Sequence, residues 1–281
     1  TIAPGSMSVG QGLETSFPDI VAGALNISAN KIKYIQGDTD YLPSGRGSGG
    51  SAATITGGSA VINAAEILIQ TGNQIAADVL KCDISDIQYD NGNFYQMNDP
   101  DTALDWSEIA QYSNQPDGLD IMGEFTPSAP TYPNGCHICE VEIDTSTGKC
   151  FVKDYVAVED VGTALYPVLI EGQILGGIVQ GISQALGESL VYDETGQLST
   201  GSFMDYQMPI ASDFPKFRIK THPVKTKINP LGAKGVGESG TVGALAATIS
   251  AIQHALVSVG ADTIEMPATP HRIWQKLKHN A

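Results

Sequence analysis

The sequence predicts an α+β fold, and three observations carry that expectation. Ile174, Ile178, Ile182 and Leu186 recur every four residues, and Leu245, Ile249, Ile252 and Leu256 fall near one face of Thr241 to Leu256, so both stretches read as helices. Val141 and Ile143 alternate with Glu140, Glu142 and Asp144; Thr145 to Gly148 then turns, and Cys150 to Val158 returns, which is the pattern of a β-hairpin. The chain has 281 residues, 42% hydrophobic and 16% charged, with 31 Gly. That composition describes a packed, loop-rich protein with a core large enough for one large or two modest domains.

The elements follow in order. Gly5 to Thr15 is a Gly-bearing loop containing Gly10, Gln11 and Gly12. It opens into a helix with Phe17, Ile20, Val21, Ala24 and Leu25 on one stripe, Pro18 in its first turn and its end at Asn26. A strand is expected from Lys31 to Gln36. Asp38 and Asp40 suggest calcium, but Leu42 stands where an EF-hand loop needs its next oxygen ligand. A second Gly-rich loop, Gly45 to Ser51, leads into a helix expected from about Gly58 to Leu80, with Val61, Ala65 and Leu68 at helical spacing. Loops of this kind before a helix offer backbone N–H groups to an anion or a polar ring. Asp83 to Asp120 is polar, with a short hairpin at Asp90-Asn-Gly92 and Trp106 as packing, and no chemistry is assigned to it. Gly172, Gly176 and Gly177 each weaken the helix they occupy, so they serve either tight helix packing or close approach of a ligand to the backbone.

Composition removes several classes. A net charge of −16 argues against nucleic acid and anionic membranes. No unbroken run of 18 apolar residues, signal peptide or internal repeat is visible. Cys136 and Cys139 have C-x-x-C spacing, yet in a strand they point to opposite faces. They are expected, with Cys82 and Cys150, to be buried, reduced thiols in a reducing, cytoplasmic compartment. His137 is expected to be structural.

The chain is organised around Leu231-Gly-Ala-Lys-Gly-Val-Gly-Glu-Ser-Gly240. Gly232, Gly235 and Gly237 are expected in conformations that only glycine adopts cheaply. Glu238 follows them at the start of a helix. The spacing from Gly232 to Ser239 imitates a phosphate-binding P-loop, but Glu238 stands where that loop carries its phosphate-binding Lys, which reverses the interaction. The plainer reading is a turn whose carboxylate meets the helix dipole.

The segment Asn229 to Gly240 resembles the active-site loop of the xanthine oxidase family of molybdenum hydroxylases, and looks similar to the bacterial branch of carbon monoxide dehydrogenase large subunits. Gly10-Gln-Gly12 with Thr15, Gly37 to Asp40 with Ser48-Gly-Gly-Ser51, Tyr132 to Asp144, Glu171 to Leu186, Phe203 to Pro209 and Met266 to Pro270 resemble the same family in the same order. Ala52 departs from it, standing where many relatives carry Arg. The resemblance implies a two-lobed molybdopterin-binding domain with mixed sheets and packed helices, lobe 1 over about residues 1–125 and lobe 2 over about 126–281.

The resemblance also implies a site. Glu238 would be the catalytic base, taking a proton from the hydroxyl at the molybdenum. Gly10, Gln11, Gly12, Ser48, Gly49, Gly50, Ser51, Gln180, Lys234, Gly235, Val236 and Gly237 would hold the pterin and the metal's oxo ligands. The pterin, in its cytosine dinucleotide form, would hold the molybdenum without a protein ligand. Electrons would leave through a two-iron two-sulfur subunit to an FAD subunit. The chain matches only the C-terminal part of the family's molybdenum subunit and starts inside a family strand. It is therefore expected to be a split subunit or a piece of a longer chain, with an N-terminal segment supplying the other wall. Two alternatives stand beside this reading: a non-catalytic support module of the same fold, and a phosphate-binding transferase.

Overall fold

A computed structural model describes residues 1–42, 44–113 and 119–278. The chain divides into two compact units, Thr1–Pro130 with Thr226–Ala233, and Thr131–Lys225 with Lys234–Ala281. The return of Thr226–Ala233 to the first unit is a feature that a single cut near residue 125 does not contain. Both units combine helices with sheets, as the α+β expectation requires.

In the first unit, α1 (Leu13–Ala24) packs on α2 (Ala53–Leu80) through Val21, Leu25, Val61 and Ala65. Helix α1 begins at Leu13, so Pro18 lies in its interior rather than its first turn. The Gly12 carbonyl already accepts from Ser16 N–H, which starts the helix before the proline is reached. Lys31 to Gln36 forms no strand: residues Ala29–Lys31 make a 3-10 turn and Tyr34 only bridges Ile2. With no second strand alongside, the segment has one pairing partner and stops there. Helix α2 starts five residues earlier than expected, because its glycines are packing surface. A Cβ at Gly57 would lie 3.0 Å from the Phe17 ring, and one at Gly58 would lie 2.9 Å from Leu231.

The polar stretch after α2 holds more structure than its composition suggests, residues 114–118 lying outside the described residues. Strands β1 (Ile87–Asp90), β2 (Asn93–Gln96) and β3 (Asp99–Asp105) form an antiparallel meander. Asn91 and Gly92 turn the first hairpin at φ 48° and 80°, the left-handed pair that a tight hairpin demands. Helix α3 (Trp106–Tyr112) begins with a capping box: Asp105 accepts from Glu108 N–H and Glu108 accepts from Asp105 N–H. Trp106 packs edge-on to Phe94 with ring centroids 4.7 Å apart and donates to Tyr89 Oη at 3.1 Å. Phe94 fills the space over Gly72 of α2, where a Cβ would come within 2.3 Å of its ring.

In the second unit, β4 (Asn134–Ile143) and β5 (Cys150–Asp160) are antiparallel, and β6 (Arg218–Thr221) runs parallel to β5. The hairpin is the predicted one, extended at both ends. Helix α4 (Pro167–Leu186) buries Ile174, Ile178 and Ile182 against Val152, Tyr155 and Ala157 of β5. Helix α5 (Ser239–Val257) touches both α4 and β4. Its deepest line is Gly240, Ala244, Thr248, Ile252 and Leu256, one position away from the Leu245 and Ile249 expected. By length and composition α5 qualifies as a membrane span, although it contains no unbroken apolar run of that length. In this unit its small-residue face is packing surface. Helix α6 (Pro270–Lys278) closes a second cluster with Ile252, Leu256 and Ile264.

The α4–α5 contact brings backbone close to backbone. A Cβ at Gly181 would lie 2.7 Å from both Ala244 Cβ and the Thr241 carbonyl, and one at Gly177 would lie 2.9 Å from Thr241 N. At Gly172 and Gly176 an added Cβ would meet nothing within 4 Å. The same helix thus predicts opposite outcomes. Gly181→Ala forces the helices apart and should cost about 1–3 kcal/mol. Gly172→Ala meets no obstacle and should gain up to about 1 kcal/mol from helix propensity. Urea unfolding followed by circular dichroism checks both signs.

Candidate functional site

Each unit gathers part of the predicted site. In the first, the loop before α1 and the loop before α2 are tied together. Gln11 Nε2 donates to Ser48 Oγ at 2.8 Å and to the Met7 carbonyl at 3.0 Å, while Gln11 Oε1 accepts from Val9 N–H. Ser48 Oγ also donates to the Met7 carbonyl. The Gln11 amide is therefore a brace between two loops. Gly10 and Gly12 take φ of 106° and 81°, and Gly50 and Ser51 take 58° and 54°. Cβ atoms at Gly10, Gly49 and Gly50 would touch nothing within 4 Å, so these stretches present bare main chain.

In the second unit the chain passes Lys234 to Gly237 and enters α5. Of the three loop glycines, only Gly232 lies at positive φ (64°); Gly235 and Gly237 do not, so their freedom of φ is not what the turn uses. Lys234 N–H donates to the Val161 carbonyl at 2.9 Å, and Lys234 Nζ meets Asp160 Oδ2 at 2.5 Å. Asp160 Oδ1 accepts from Gly162 and Val224 N–H, both at 2.9 Å. Desolvation raises the Asp160 pKa, but the Lys234 ammonium and the two N–H donors outweigh it and hold the carboxyl below its ordinary range. The Lys234 side chain is thereby an anchor of the loop.

Glu238 is the N-cap residue of α5; its carbonyl starts the helix by accepting from Val242 N–H at 3.1 Å, and its side chain makes no capping hydrogen bond. The residue is exposed within this chain. Gln180 lies close by: Thr241 Oγ1 donates toward Gln180 Oε1 at 3.2 Å and to the Gly177 carbonyl at 3.0 Å. Gly172, Gly176 and Gln180 follow one another at four-residue spacing on the exposed face of α4. The close-approach reading of the glycines therefore divides: Gly177 serves helix packing, and Gly172 and Gly176 leave backbone uncovered.

Three features are not foreseen in the sequence. Gln173 Nε2 donates to the Gly237 carbonyl at 2.9 Å. Its place seven residues before Gln180, two helical turns away, could have marked it. Asp160 lies beyond the expected end of the strand. Continuing the alternation Tyr155, Ala157, Glu159 would have exposed the third feature, a buried acid. Glu159 is 2% exposed, and its Oε1 meets His137 Nε2 at 2.7 Å, while His137 Nδ1 meets Tyr155 Oη at 2.7 Å. His137 is thus bonded at both ring nitrogens and fills the space over Gly243, a structural role as expected.

The cysteines are free, but Cys136 is exposed rather than buried, because it falls on the outward side of the β4 alternation, while Cys139 is turned inward. Among the described residues no group of three or more His, Cys, Asp and Glu is placed to hold a metal ion. Burial pushes the Cys139 thiol up to about 11 and the Cys150 thiol up to about 12. A raised thiol pKa favours the folded state up to the unfolded value near 8.5, and that contribution is lost as pH climbs toward 11–12. At pH 8 a thiol reagent should label Cys136 readily in the folded protein and reach Cys139 and Cys150 only on unfolding, as mass spectrometry of the labelled peptides would show.

Residues 1–215 match the molybdopterin cofactor-binding domain family. The chain belongs to that family, within the molybdenum hydroxylases of the xanthine oxidase group that its loops resemble. It is 34% identical over 283 residues to the carbon monoxide dehydrogenase large chain of Hydrogenophaga pseudoflava, covering 98% of this chain and 35% of that one. It is 35% identical over 287 residues to the nicotine 6-hydroxylase large subunit of Paenarthrobacter nicotinovorans, covering 99% and 35%. Reconstituted CO dehydrogenase from Oligotropha carboxidovorans aligns with a TM-score of 0.88 and 33% identity over 99% of this chain and 35% of that chain. The chain thus spans about a third of the length of these relatives. The Glu238 loop lies beyond the family match and inside the whole-chain similarities.

Proposed function

We propose that this chain is the molybdopterin-binding part of a molybdenum hydroxylase, with Glu238 as its base. The observation that carries the reading is the uncovered backbone at Gly172 and Gly176 on α4, ending at Gln180 one turn from the α5 N-terminus where Glu238 stands. Side chains at those glycines would fill a space that the unit itself leaves empty. The bare main chain at Gly49 and Gly50 has the same character. The glycine face of α4 gives room for a flat ring to come close, and the loop main chain at Gly49 and Gly50 suits the anionic, hydrogen-bonding groups of a pterin. When bound, the cofactor supplies the oxidation and oxygen-transfer chemistry.

This chain's residues then bind and move a proton. Gln180 offers its amide to the pterin. The Gly10–Gly12 and Ser48–Ser51 segments offer main-chain N–H groups, with Gln11 bracing the two loops. Lys234 to Gly237 carries the Glu238 carboxylate, whose oxygen would take up the proton that the cofactor's chemistry releases. Placing that carboxylate away from water helps it accept a proton near neutrality. In this chain it is exposed, so a neighbouring segment completes the enclosure. Phe203 and Met204, 83% and 94% exposed, and Val168, 82% exposed, give such a neighbour apolar surface to cover. An N-terminal molybdenum segment, a two-iron two-sulfur subunit and an FAD subunit complete the assembly. The substrate class is a small aldehyde, N-heterocycle or similar molecule. The cytosine dinucleotide form and a cytoplasmic setting belong to the same reading.

In the complete enzyme, Glu238→Gln should lower turnover by at least about a hundredfold, the scale of general-base catalysis, with molybdenum content retained. Near-normal turnover in a fully loaded variant removes Glu238 from the reaction. The 281-residue chain purified alone should aggregate, hold little molybdenum and lack hydroxylase activity. Co-expression with the segment and subunits named above should restore metal content, measured by mass spectrometry.

A further inference from the structure

We infer that Gln173 is a positioning residue for Glu238, a strut from α4 that fixes the peptide on which the base is mounted. The inference rests on the reading of Glu238 as base and adds a residue to it. Gln173 Nε2 donates to the Gly237 carbonyl at 2.9 Å. A peptide unit is planar, so that carbonyl, the Glu238 nitrogen and the Glu238 Cα move as one body. Holding the oxygen therefore holds the atom from which the Glu238 side chain departs.

The rest of the loop shows why a strut is needed there. Upstream, Lys234 is fastened to β5 through the Val161 carbonyl and Asp160. Downstream, Thr241 is fastened to α4 through the Gly177 carbonyl. Between these anchors lie Gly235 and Gly237, the residues with the greatest backbone freedom. Ser239 Oγ and N–H reach the Val236 carbonyl, but these bonds at 3.2 and 3.3 Å are internal to the segment and move with it. The Gln173 bond comes from a rigid helix and lands on the residue before Glu238. Gln173 is half-buried beside the uncovered positions Gly172 and Gly176, whereas Gln180, two turns on, is exposed. The two amides thus serve different ends, since Gln180 faces outward and Gln173 faces the loop.

Gln173→Met in the complete enzyme tests this, because it keeps the length of the side chain and removes the donor. Amide exchange across residues 235–242 should accelerate about tenfold, with molybdenum content unchanged. Turnover should fall about 10- to 100-fold, the scale of a small misplacement of a reacting group, with KM altered less than about threefold. In a Glu238→Gln background the same substitution should change turnover less than about threefold, since residues acting as one unit are not additive. Unchanged exchange overturns the strut whatever the activity. An undiminished Gln173→Met effect in the Glu238→Gln background shows that Gln173 acts on something other than Glu238, and overturns the assignment. If Glu238→Gln alone is fully active, the base reading fails, and the exchange data still decide the strut by themselves.

Discussion

The second unit depends on the contact between α4 and α5. At Gly240 an added Cβ would fall 2.3 Å from the Ile174 carbonyl, so the two helices meet main chain to main chain at the first turn of α5. Packing this close leaves little freedom in the position of that turn, since interiors are dense and yield poorly to added volume. Glu238 is the residue at which the turn begins. Helix packing thereby limits where that turn can lie, while the Gly237 peptide just before it is held by Gln173. Helix α4 uses glycine in two opposite ways. Gly177 and Gly181 admit a neighbouring helix, and Gly172 and Gly176 keep a surface uncovered.

The end of β5 supplies the other fixed point. Three successive residues each hold another segment of the unit. Glu159 binds His137 through its side chain and His222 N–H through its carbonyl. Asp160 gathers Lys234, Gly162 and Val224. The Val161 carbonyl receives Lys234 N–H. Acids with little exposure are costly unless they are paired and hydrogen-bonded, as both of these are. In this protein they specify which loop lies against the strand end, a directional choice that apolar contacts alone do not make.

What the sequence disclosed, and what it did not, follows from how local each signal is. Helices α4 and α5 and the β4–β5 hairpin were legible because their apolar spacing is set by one buried face. The start of α1 was not, because Pro18 suggested a first turn, whereas the helix had begun at Leu13. Lys31 to Gln36 looked like a strand in composition but lacks neighbours, and pairing is a tertiary fact. The meander and capping box between Asp83 and Tyr112 were hidden by polar composition, although Asp105 and Glu108 carry the spacing of a cap. Glu238 and Gln180 were named as candidates from the surrounding letters. Gln173 and Asp160 were missed because their partners, the Gly237 carbonyl and Lys234, are distant in sequence and one is main chain.

The assignment of Thr226–Ala233 to the first unit bears on how the protein is made. Leu231 occupies the space that a Cβ on Gly58 would need, and Asn229 closes its turn by bonding both the N–H and the carbonyl of Ala233. On a ribosome the chain emerges N-terminus first, so the surface of α2 at Gly58 waits while most of the second unit is synthesised. Contacts of such long sequence separation form late and slow the search for the native state. Residue 234 then follows at once with its anchors on β5. Completion of one unit and fastening of the Glu238 loop in the other are therefore consecutive events in translation, and a chain interrupted before residue 226 lacks both.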